Sequence, residues 1–162
     1  MANIIKVGMA DLNICSAPDG ITTLGLGSCV GVAIRDPAKK VGGLAHVMLP
    51  SSKEIKSNDN IYKFADTGIE ELVKRIVREL GANKSRLEAK LAGGAQMFAF
   101  QNKNMAMRVG DRNVMACEAK LKELGIRVLA KDTGESYGRT VIFYPETGAY
   151  VIRAVGKPEK TI

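Results

Sequence analysis

Aromatic residues, histidine and cysteine are scarce in this 162-residue chain, and each scarcity argues against a class of function. The chain has no Trp, four Phe and four Tyr, so its core must be aliphatic and no aromatic platform for stacking nucleic-acid bases is visible. One His and three Cys lie at scattered positions, whereas a zinc site needs about four suitably spaced ligands. We therefore expect neither a metal nor another cofactor.

Long apolar runs and a paired set of cysteines are also missing. No stretch approaches the roughly 18 apolar residues of a membrane span, and the start lacks the basic and then apolar regions of a signal peptide. Cys15, Cys29 and Cys117 are odd in number and irregularly spaced, which argues against a disulfide framework. These features predict a cytoplasmic chain with reduced thiols and no membrane insertion.

Positive charge is in excess without being concentrated. The chain carries 24 Lys and Arg against 17 Asp and Glu, a formal net charge of +7, but it has no run of five or six basic residues. We interpret the excess first as a solvated basic surface and second as a site for an acidic partner. Nucleic acid comes last, because neither a basic stripe nor an RNA-binding signature accompanies the charge.

Periodicity and turn signals divide the chain into two helices and several short strands. Apolar residues on one face, from Ile69 to Leu80, predict a helix over 66–80 that ends at Gly81. A second helix is predicted over 112–124, with Asp111 as its N-cap and Gly125 at its end. Strands are predicted within 4–15 and at 21–27, 30–35, 41–49 (broken by Gly42-Gly43), 87–92, 126–130, 140–144 and 149–155.

This order of elements predicts an α+β fold of layered, mostly antiparallel sheets with two main helices packed on one face. The length fits a single domain over residues 1–156, followed by a polar and frayed C-terminal tail at 157–162. Residues 50–60 are polar and directly follow a predicted strand. We interpret them either as a lid over a nearby site or as a plain exposed connector.

His46, the chain's one histidine, becomes a functional candidate through its predicted position in a hairpin. If residues 36–39 form the hairpin loop, Cys29 lies directly opposite His46, with their Cβ atoms about 5 Å apart. A five-residue loop would shift this register by one residue. A bulge at Gly42-Gly43 would also shift it.

The strand that precedes Cys29 adds a further candidate. If its alternation continues unbroken, Thr23, Gly25 and Gly27 share the face of Cys29, while the leucines between them point away. A face so bare of side chains would admit a substrate, and its backbone N–H groups could bind an oxyanion. Bulges and tight packing explain a glycine-rich strand equally well.

A thiol beside an imidazole is the arrangement of a cysteine hydrolase. A neighbouring imidazolium would favour the thiolate, and the histidine could then protonate the leaving group. A third group should fix the tautomer of the histidine. Thr23 is predicted to lie on the right face for this role, and Asp36 and Asp132 are charged alternatives. Cys117 lies on a helical apolar stripe and is expected in the core, and Cys15 has no histidine near it in sequence.

Six segments together resemble one known family in their order and spacing. They are 23–31 (TLGLGSCVG), 45–50 (AHVMLP), 62–67 (YKFADT), 90–98 (KLAGGAQMF), 110–113 (GDRN) and 130–134 (AKDTG). The chain resembles the CheD family of bacterial chemoreceptor glutamine deamidases through nearly its whole length, the polar tail excepted.

The resemblance implies a Cys-His-Thr site without a cofactor, in which Cys29 is the nucleophile, His46 the base and acid, and Thr23 the group that orients the histidine. It implies a protein-glutamine glutaminase that converts selected glutamines of methyl-accepting chemotaxis receptors to glutamate, releasing ammonia through a thioester intermediate. Some members also hydrolyse receptor glutamyl methyl esters. A CheC-type phosphatase is implied as a regulatory partner, and the implied fold is similar to that of the cytotoxic necrotizing factor-like deamidases.

Two other functions compete with this interpretation. The chain could be a non-catalytic module that binds the receptors or the phosphatase, or a cysteine hydrolase of unrelated small amides. The presence of Cys29, His46 and Thr23 together argues against the binding module.

Overall fold

A computed structural model of the chain describes residues 2–54, 60–96 and 109–162. Every predicted strand and both predicted helices are present in it, with small differences at their ends. In chain order the elements are β1 (Ile4–Val7), β2 (Leu12–Ser16), β3 (Gly20–Leu26), β4 (Val30–Asp36), β5 (Val41–Val47), α1 (Ala65–Leu80), β6 (Glu88–Gly93), α2 (Val109–Glu123), β7 (Arg127–Thr133), β8 (Arg139–Tyr144), β9 (Ala149–Arg153) and β10 (Lys160–Thr161). Short 3₁₀ helices lie at Ser52–Glu54, Ile61–Lys63 and Lys84–Arg86.

The strands form two five-stranded sheets. The central sheet has the order β2-β5-β4-β6-β7, and the outer sheet has the order β1-β3-β8-β9-β10. Six of the described strand pairings are antiparallel, whereas β1 with β3 and β6 with β7 are parallel. The sheets are therefore mixed, because β7 follows β6 only after α2 has crossed the central sheet and returned the chain to its starting edge.

Three layers result: the two helices, the central sheet and the outer sheet. One apolar cluster lies between the helices and the central sheet and includes Val32, Leu72 and Leu121. A second cluster lies between the two sheets and includes Ala33, Leu44 and Val141. The predicted α+β class, with two main helices on one face, is confirmed.

Helix α1 has the amphipathic pattern that its sequence predicts. Ile69, Leu72, Val73 and Ile76 are buried along one side, because residues three and four apart share a helical face. Gly81 ends the helix in the left-handed conformation, at φ 72°, and its backbone N–H donates to the carbonyl of Ile76.

Strand β5 is continuous, so the predicted break at Gly42-Gly43 is wrong. These glycines have a packing role instead. A Cβ at Gly43 would lie 2.5 Å from the carbonyl oxygen of Asn13 and 2.7 Å from a methyl carbon of Leu72. Glycine thus lets β2 and α1 approach the middle of β5 closely.

Helix α2 begins at Val109, so the prediction that Asp111 caps its N-terminus is wrong. Asp111 lies within the first turn, where a carboxylate interacts favourably with the helix dipole without being the cap. Gly125 adopts the left-handed conformation predicted for the helix end, at φ 75°.

The C-terminal tail, predicted to be frayed, forms β10 on the edge of the outer sheet. The amide and carbonyl of Ile162 bond those of Tyr150, and Lys90 Nζ donates to the Ile162 carbonyl over 2.8 Å. These backbone contacts hold a segment whose polar side chains gave no sign of order.

Two sequence predictions fall partly on residues outside the described ranges. Residues 55–59 of the predicted loop are among them, as are Met97 and Phe98 of the 90–98 segment. None of the helices in the described ranges is long and apolar enough to cross a membrane.

Candidate active site

The candidate nucleophile lies where the chain passes from one sheet to the other. Strand β3 ends in the outer sheet at Leu26, and β4 begins in the central sheet at Val30. Residues 27–29 form the bend between them. Cys29 is therefore on a connection between two layers of the sandwich.

Strand β3 does not keep the alternation from which Thr23 was assigned to the face of Cys29. Its register against β8 shifts between Thr23 and Leu26, and Gly25 lies there at φ 69°. As a result Leu24 is 64% exposed while Leu26 is fully buried, although the predicted alternation put both on one face. A bulge has changed the parity of the strand.

The predicted register of the β4–β5 hairpin is also wrong. Gly31, not Cys29, is the partner of His46, because the loop comprises residues 37–40 rather than 36–39. Cys29 therefore lies two residues before the strand partner of His46. Two residues is the repeat of side-chain direction in a strand, so the predicted face is kept although the predicted pairing is not. Cys29 packs against the cluster between the sheets, which is the layer that also contains His46.

Thr23 and His46 meet across this layer. Thr23 lies on β3 of the outer sheet and His46 on β5 of the central sheet. Thr23 Oγ1 and His46 Nδ1 are 2.7 Å apart, and both residues are buried. The packing of the two sheets therefore brings Thr23 and His46 into contact, whereas the sequence analysis had related them through unbroken alternation of the strand that precedes Cys29.

The partners of Thr23 decide the tautomer of His46. Thr23 Oγ1 also lies 2.8 Å from the carbonyl oxygen of Val7, which can only accept a hydrogen bond. The single hydroxyl proton is therefore donated to Val7, and Oγ1 accepts the proton of His46 Nδ1. In the neutral ring this leaves Nε2 unprotonated, which is the form of a general base.

His46 Nε2 is buried and has no hydrogen-bond partner among the described residues. A buried polar atom without a partner is uncommon in a folded protein and calls for an explanation. One explanation is that Nε2 is a catalytic base, because the hydrogen bonds of such a base often form only when the substrate is bound. The Cys29 thiol faces the same layer as His46 and is not hydrogen-bonded to His46 Nε2.

Burial favours the neutral forms of both groups. It raises the pKa of the Cys29 thiol, and a hydrogen bond from the residue's own backbone N–H offsets part of that rise. Burial also lowers the pKa of His46. Both shifts act against the thiolate and the imidazolium that the sequence interpretation considered.

The charged alternatives to Thr23 have partners of their own. Asp36 is buried at the β4–β5 turn and receives two hydrogen bonds from Arg86, which holds the pKa of its carboxyl well below the usual range. Asp132 pairs with Arg139 and Lys160 at 3.0 and 2.8 Å. Neither carboxylate contacts His46.

The other two cysteines belong to the core. Cys117 is fully buried between the helices and the central sheet, as predicted, and burial raises its pKa. Cys15 is 4% exposed in the cluster between the sheets, and burial raises its pKa to about 12. Such buried thiols are poor nucleophiles.

Three successive carbonyl groups around Cys29 are held by donors that sequence reasoning did not identify. Gly27 O accepts from the amide of Ala95 at 2.9 Å, and Cys29 O from that of Gly94 at 2.8 Å. Ser28 O accepts from the side chain of Asn113 at 2.9 Å. We call these three donors the cradle. Their positions fall in the KLAGGAQMF and GDRN segments, which was the one signal available.

Close packing of α2 brings the cradle together. A Cβ at Gly110 would lie 2.5 Å from Ala95 O and 2.6 Å from Gly94 O, so only glycine allows the first turn of α2 to contact this segment. Asn113 follows three residues later, on the same face of the helix. Gly93 and Gly94, at φ 109° and 64°, form the turn that directs the amides of Gly94 and Ala95 toward the bend.

The described residues contain no group of three or more His, Cys, Asp or Glu side chains that could hold a metal ion.

Comparison with known proteins identifies the family. A family model described as CheD chemotactic sensory transduction matches residues 48–154. The curated "Probable chemoreceptor glutamine deamidase CheD" of Lachnoclostridium phytofermentans is 60% identical over 162 residues, all of both chains. The "Chemoreceptor glutamine deamidase CheD" of Halalkalibacterium halodurans is 50% identical over 163 residues, again all of both chains.

Among solved structures, the Bacillus licheniformis hypothetical protein YfiH aligns with a TM-score of 0.43 at 16% identity, covering 72% of this chain and 51% of that one. That similarity is too weak to support an inference. The full-length matches to curated relatives are not weak, and with the family model they establish that this chain belongs to the CheD family.

Proposed function

We propose that this chain is a protein-glutamine deamidase that converts glutamine side chains of chemoreceptors to glutamate, with Cys29 as nucleophile, His46 as general base and acid, and Thr23 orienting the histidine. The observation that carries the proposal is the Val7–Thr23–His46 hydrogen-bond chain, which leaves His46 Nε2 unprotonated and without a described partner. A buried base and a partly exposed thiol that face the same layer are the components of a cysteine hydrolase.

The reaction begins with the thiol in its neutral form. His46 Nε2 takes the proton of Cys29 as Sγ attacks the carbonyl carbon of the glutamine side chain, forming a C–S bond and an oxyanion. Collapse of this intermediate breaks the C–N bond, and His46 returns its proton to the nitrogen, which leaves as ammonia. A thioester remains on Cys29.

The second half repeats the proton movements with water. His46 takes a proton from a water molecule, whose oxygen attacks the thioester carbon. The C–S bond then breaks, glutamate is released, and the proton returns to Sγ. Thr23 keeps the ring oriented throughout, because the Val7 carbonyl fixes the direction of its hydroxyl proton.

The substrate class rests on the names of the relatives, which are chemoreceptor glutamine deamidases. Their 48–60% identity over whole chains supports carrying the substrate to this chain. A methylesterase activity on receptor glutamyl esters and regulation by a CheC-type phosphatase are further parts of the proposal, supported by the family resemblance. The same thioester chemistry would serve amide and ester alike.

Mass spectrometry of a receptor cytoplasmic domain tests the proposal. Wild type should convert receptor glutamine to glutamate with release of ammonia, and Cys29→Ala should not. Cys15→Ala is the matched control, because it removes a buried thiol whose strand partner is Gly42, four residues from His46 along β5. Cys29→Ala with wild-type turnover would overturn the proposal.

The same assay separates the competing functions. A wild type that binds the receptor domain and changes no glutamine would indicate a binding module. Conversion of free glutamine without conversion of receptor would indicate a hydrolase of small amides.

A further inference from the structure

Asn113 joins the segment of the nucleophile to the end of the histidine strand. Its side chain is fully buried on α2. Its Nδ2 atom donates to Ser28 O at 2.9 Å and to Met48 O at 3.0 Å. Ser28 precedes Cys29, and Met48 lies just beyond β5, which carries His46. One amide group therefore links both halves of the proposed catalytic pair.

The two partners require an amide at this position. Both are backbone carbonyls, which can only accept, so the group between them must donate twice. The NH₂ of asparagine does so, whereas a carboxylate of the same size has no proton to give. Asn113 Oδ1 has no hydrogen-bond partner among the described residues, so the two donated bonds alone fix the orientation of the amide.

Holding Ser28 O also fixes the amide of Cys29. The Ser28 carbonyl and the Cys29 N–H belong to one planar peptide group, and in the trans form they point in opposite directions. When Asn113 holds the carbonyl on one side, the N–H must face the other. The Cys29 N–H interacts with the residue's own Sγ, so the N–H lies close to the atom that would attack.

An oxyanion formed on Cys29 would therefore develop beside the Cys29 N–H. The amide of a nucleophilic residue commonly belongs to an oxyanion hole. On either side of Ser28 the chain is held by the backbone amides of Gly94 and Ala95. Asn113 is the side chain of the cradle, so it can be changed without altering the backbone donors.

We propose that Asn113 is a positioning residue, which acts through the Ser28–Cys29 peptide group to hold the Cys29 N–H where it stabilises the oxyanion. This inference rests on the proposed function, since it assumes that Cys29 is the nucleophile. Asn113 itself touches no reacting atom.

The test compares two reactions of the same thiol. Deamidation forms an oxyanion, whereas alkylation of Cys29 by iodoacetamide is a direct displacement that forms none. In Asn113→Ala we expect kcat for receptor deamidation to fall about 10- to 100-fold. We expect KM to change less than about twofold, because uniform binding is untouched, and the alkylation rate of Cys29 to stay within the same factor of wild type.

Two further variants separate positioning from folding. Asn113→Leu keeps the approximate shape of the side chain and removes both donors without burying a charge. It should show the same fall in kcat with little change in KM or alkylation rate, and it replaces Asn113→Ala if that variant does not fold. Asn83→Ala removes a different asparagine, whose side chain accepts from Ser85 at the Lys84–Arg86 helix. It should lower thermal stability and leave kcat unchanged.

Two results would overturn the inference. One is a wild-type kcat in folded Asn113→Ala or Asn113→Leu. The other is a fall of kcat that follows the folded fraction and comes with faster alkylation of the cysteines, which a purely structural role would give because unfolding exposes the buried thiols. If wild type itself converts no receptor glutamine, the proposed function fails and this inference fails with it.

Discussion

At the residue scale, the hydroxyl of Thr23 decides what His46 can do. It donates to Val7 O and accepts from His46 Nδ1, so a methyl group in its place would leave both partners unsatisfied. The sequence indicated Thr23 as the residue that orients His46, but the strand alternation on which that prediction rested is absent. The bulge at Gly25 breaks the assumed strand parity, and only the sandwich of two sheets restores the contact.

A pair of substitutions isolates this hydroxyl. Thr23→Val keeps the shape of the side chain and removes the O–H, so we expect unfolding free energy to fall by about 1–3 kcal/mol and kcat to fall at least about tenfold. Thr23→Ser keeps the O–H and should retain kcat within a few-fold. Chemical denaturation and receptor deamidation measure the two effects, and equal activity of both variants would contradict the orienting role.

The tautomer of His46 can be observed without ambiguity, because the chain has one histidine. Nitrogen-15 NMR of the imidazole should find the proton on Nδ1 at neutral pH. Burial lowers the pKa of His46 below the usual value of about 6.5 for histidine, so the ring should remain neutral until the pH falls below that value. A proton on Nε2, or a pKa above 6.5, would contradict this description of the base.

At the scale of elements, the helices were predictable and the register of the strands was not. The apolar face of α1 and the glycines that end both helices are local signals, and they predicted the helices to within a few residues. Register depended on which residues form the β4–β5 loop. Pro37 to Lys40 form it, and no local pattern distinguishes that loop from one displaced by a residue.

Sequence alternation also could not reveal that β3 and β4 belong to different sheets. The glycine-rich stretch before Cys29 was open to two interpretations, a bare catalytic face or a bulge. Gly25 lies at a bulge, as the second interpretation predicts. Residues 27–29 form the bend whose carbonyls accept hydrogen bonds from the cradle. Local patterns could not reveal that the cradle donors contact the bend, since they lie just after β6 and on α2, far along the chain.

The close approach of α2 is the element-scale feature on which the site depends. In Gly110→Ala the added methyl would meet two carbonyl oxygens, so α2 must shift. We expect a loss of about 1–3 kcal/mol in unfolding free energy, together with a lower kcat in the folded protein as Asn113 moves from Ser28.

Gly138→Ala is the matched control for that substitution. The nearest atom to a Cβ at Gly138 is Leu26 O, at an ordinary 3.8 Å. Thermal unfolding and receptor deamidation should find it close to wild type in both respects. Wild-type kcat in Gly110→Ala would show that the position of α2 does not matter to the site.

At the scale of the whole molecule, burial of a neutral histidine couples stability to pH. The folded-state pKa of His46 lies below the unfolded value of about 6.5, so the unfolded chain binds more protons as the pH falls through that value. Stability is therefore complete above about pH 6.5 and decreases below it until the folded pKa is reached.

Asp36 adds a second, more acidic loss. Its folded pKa is lowered by Arg86, so its contribution is present above the unfolded value of about 3.8 and is lost as the pH falls below it. Urea unfolding as a function of pH should therefore give two declines. In His46→Gln the decline that begins near pH 6.5 should disappear while the more acidic one remains. An unchanged first decline in His46→Gln would contradict the assignment to His46.

The layered fold places the bend at residues 27–29, with its three bonded carbonyls, at the crossing between the two sheets. We propose that Cys29 at this bend forms a thioester with receptor glutamine. Intact mass spectrometry of an acid-quenched reaction tests it directly. We predict a covalent species equal to chain plus receptor domain minus ammonia, mapped by peptide analysis to Cys29 and absent from Cys29→Ala. A link mapped to another residue, or glutamine conversion that continues in Cys29→Ala, would contradict the account.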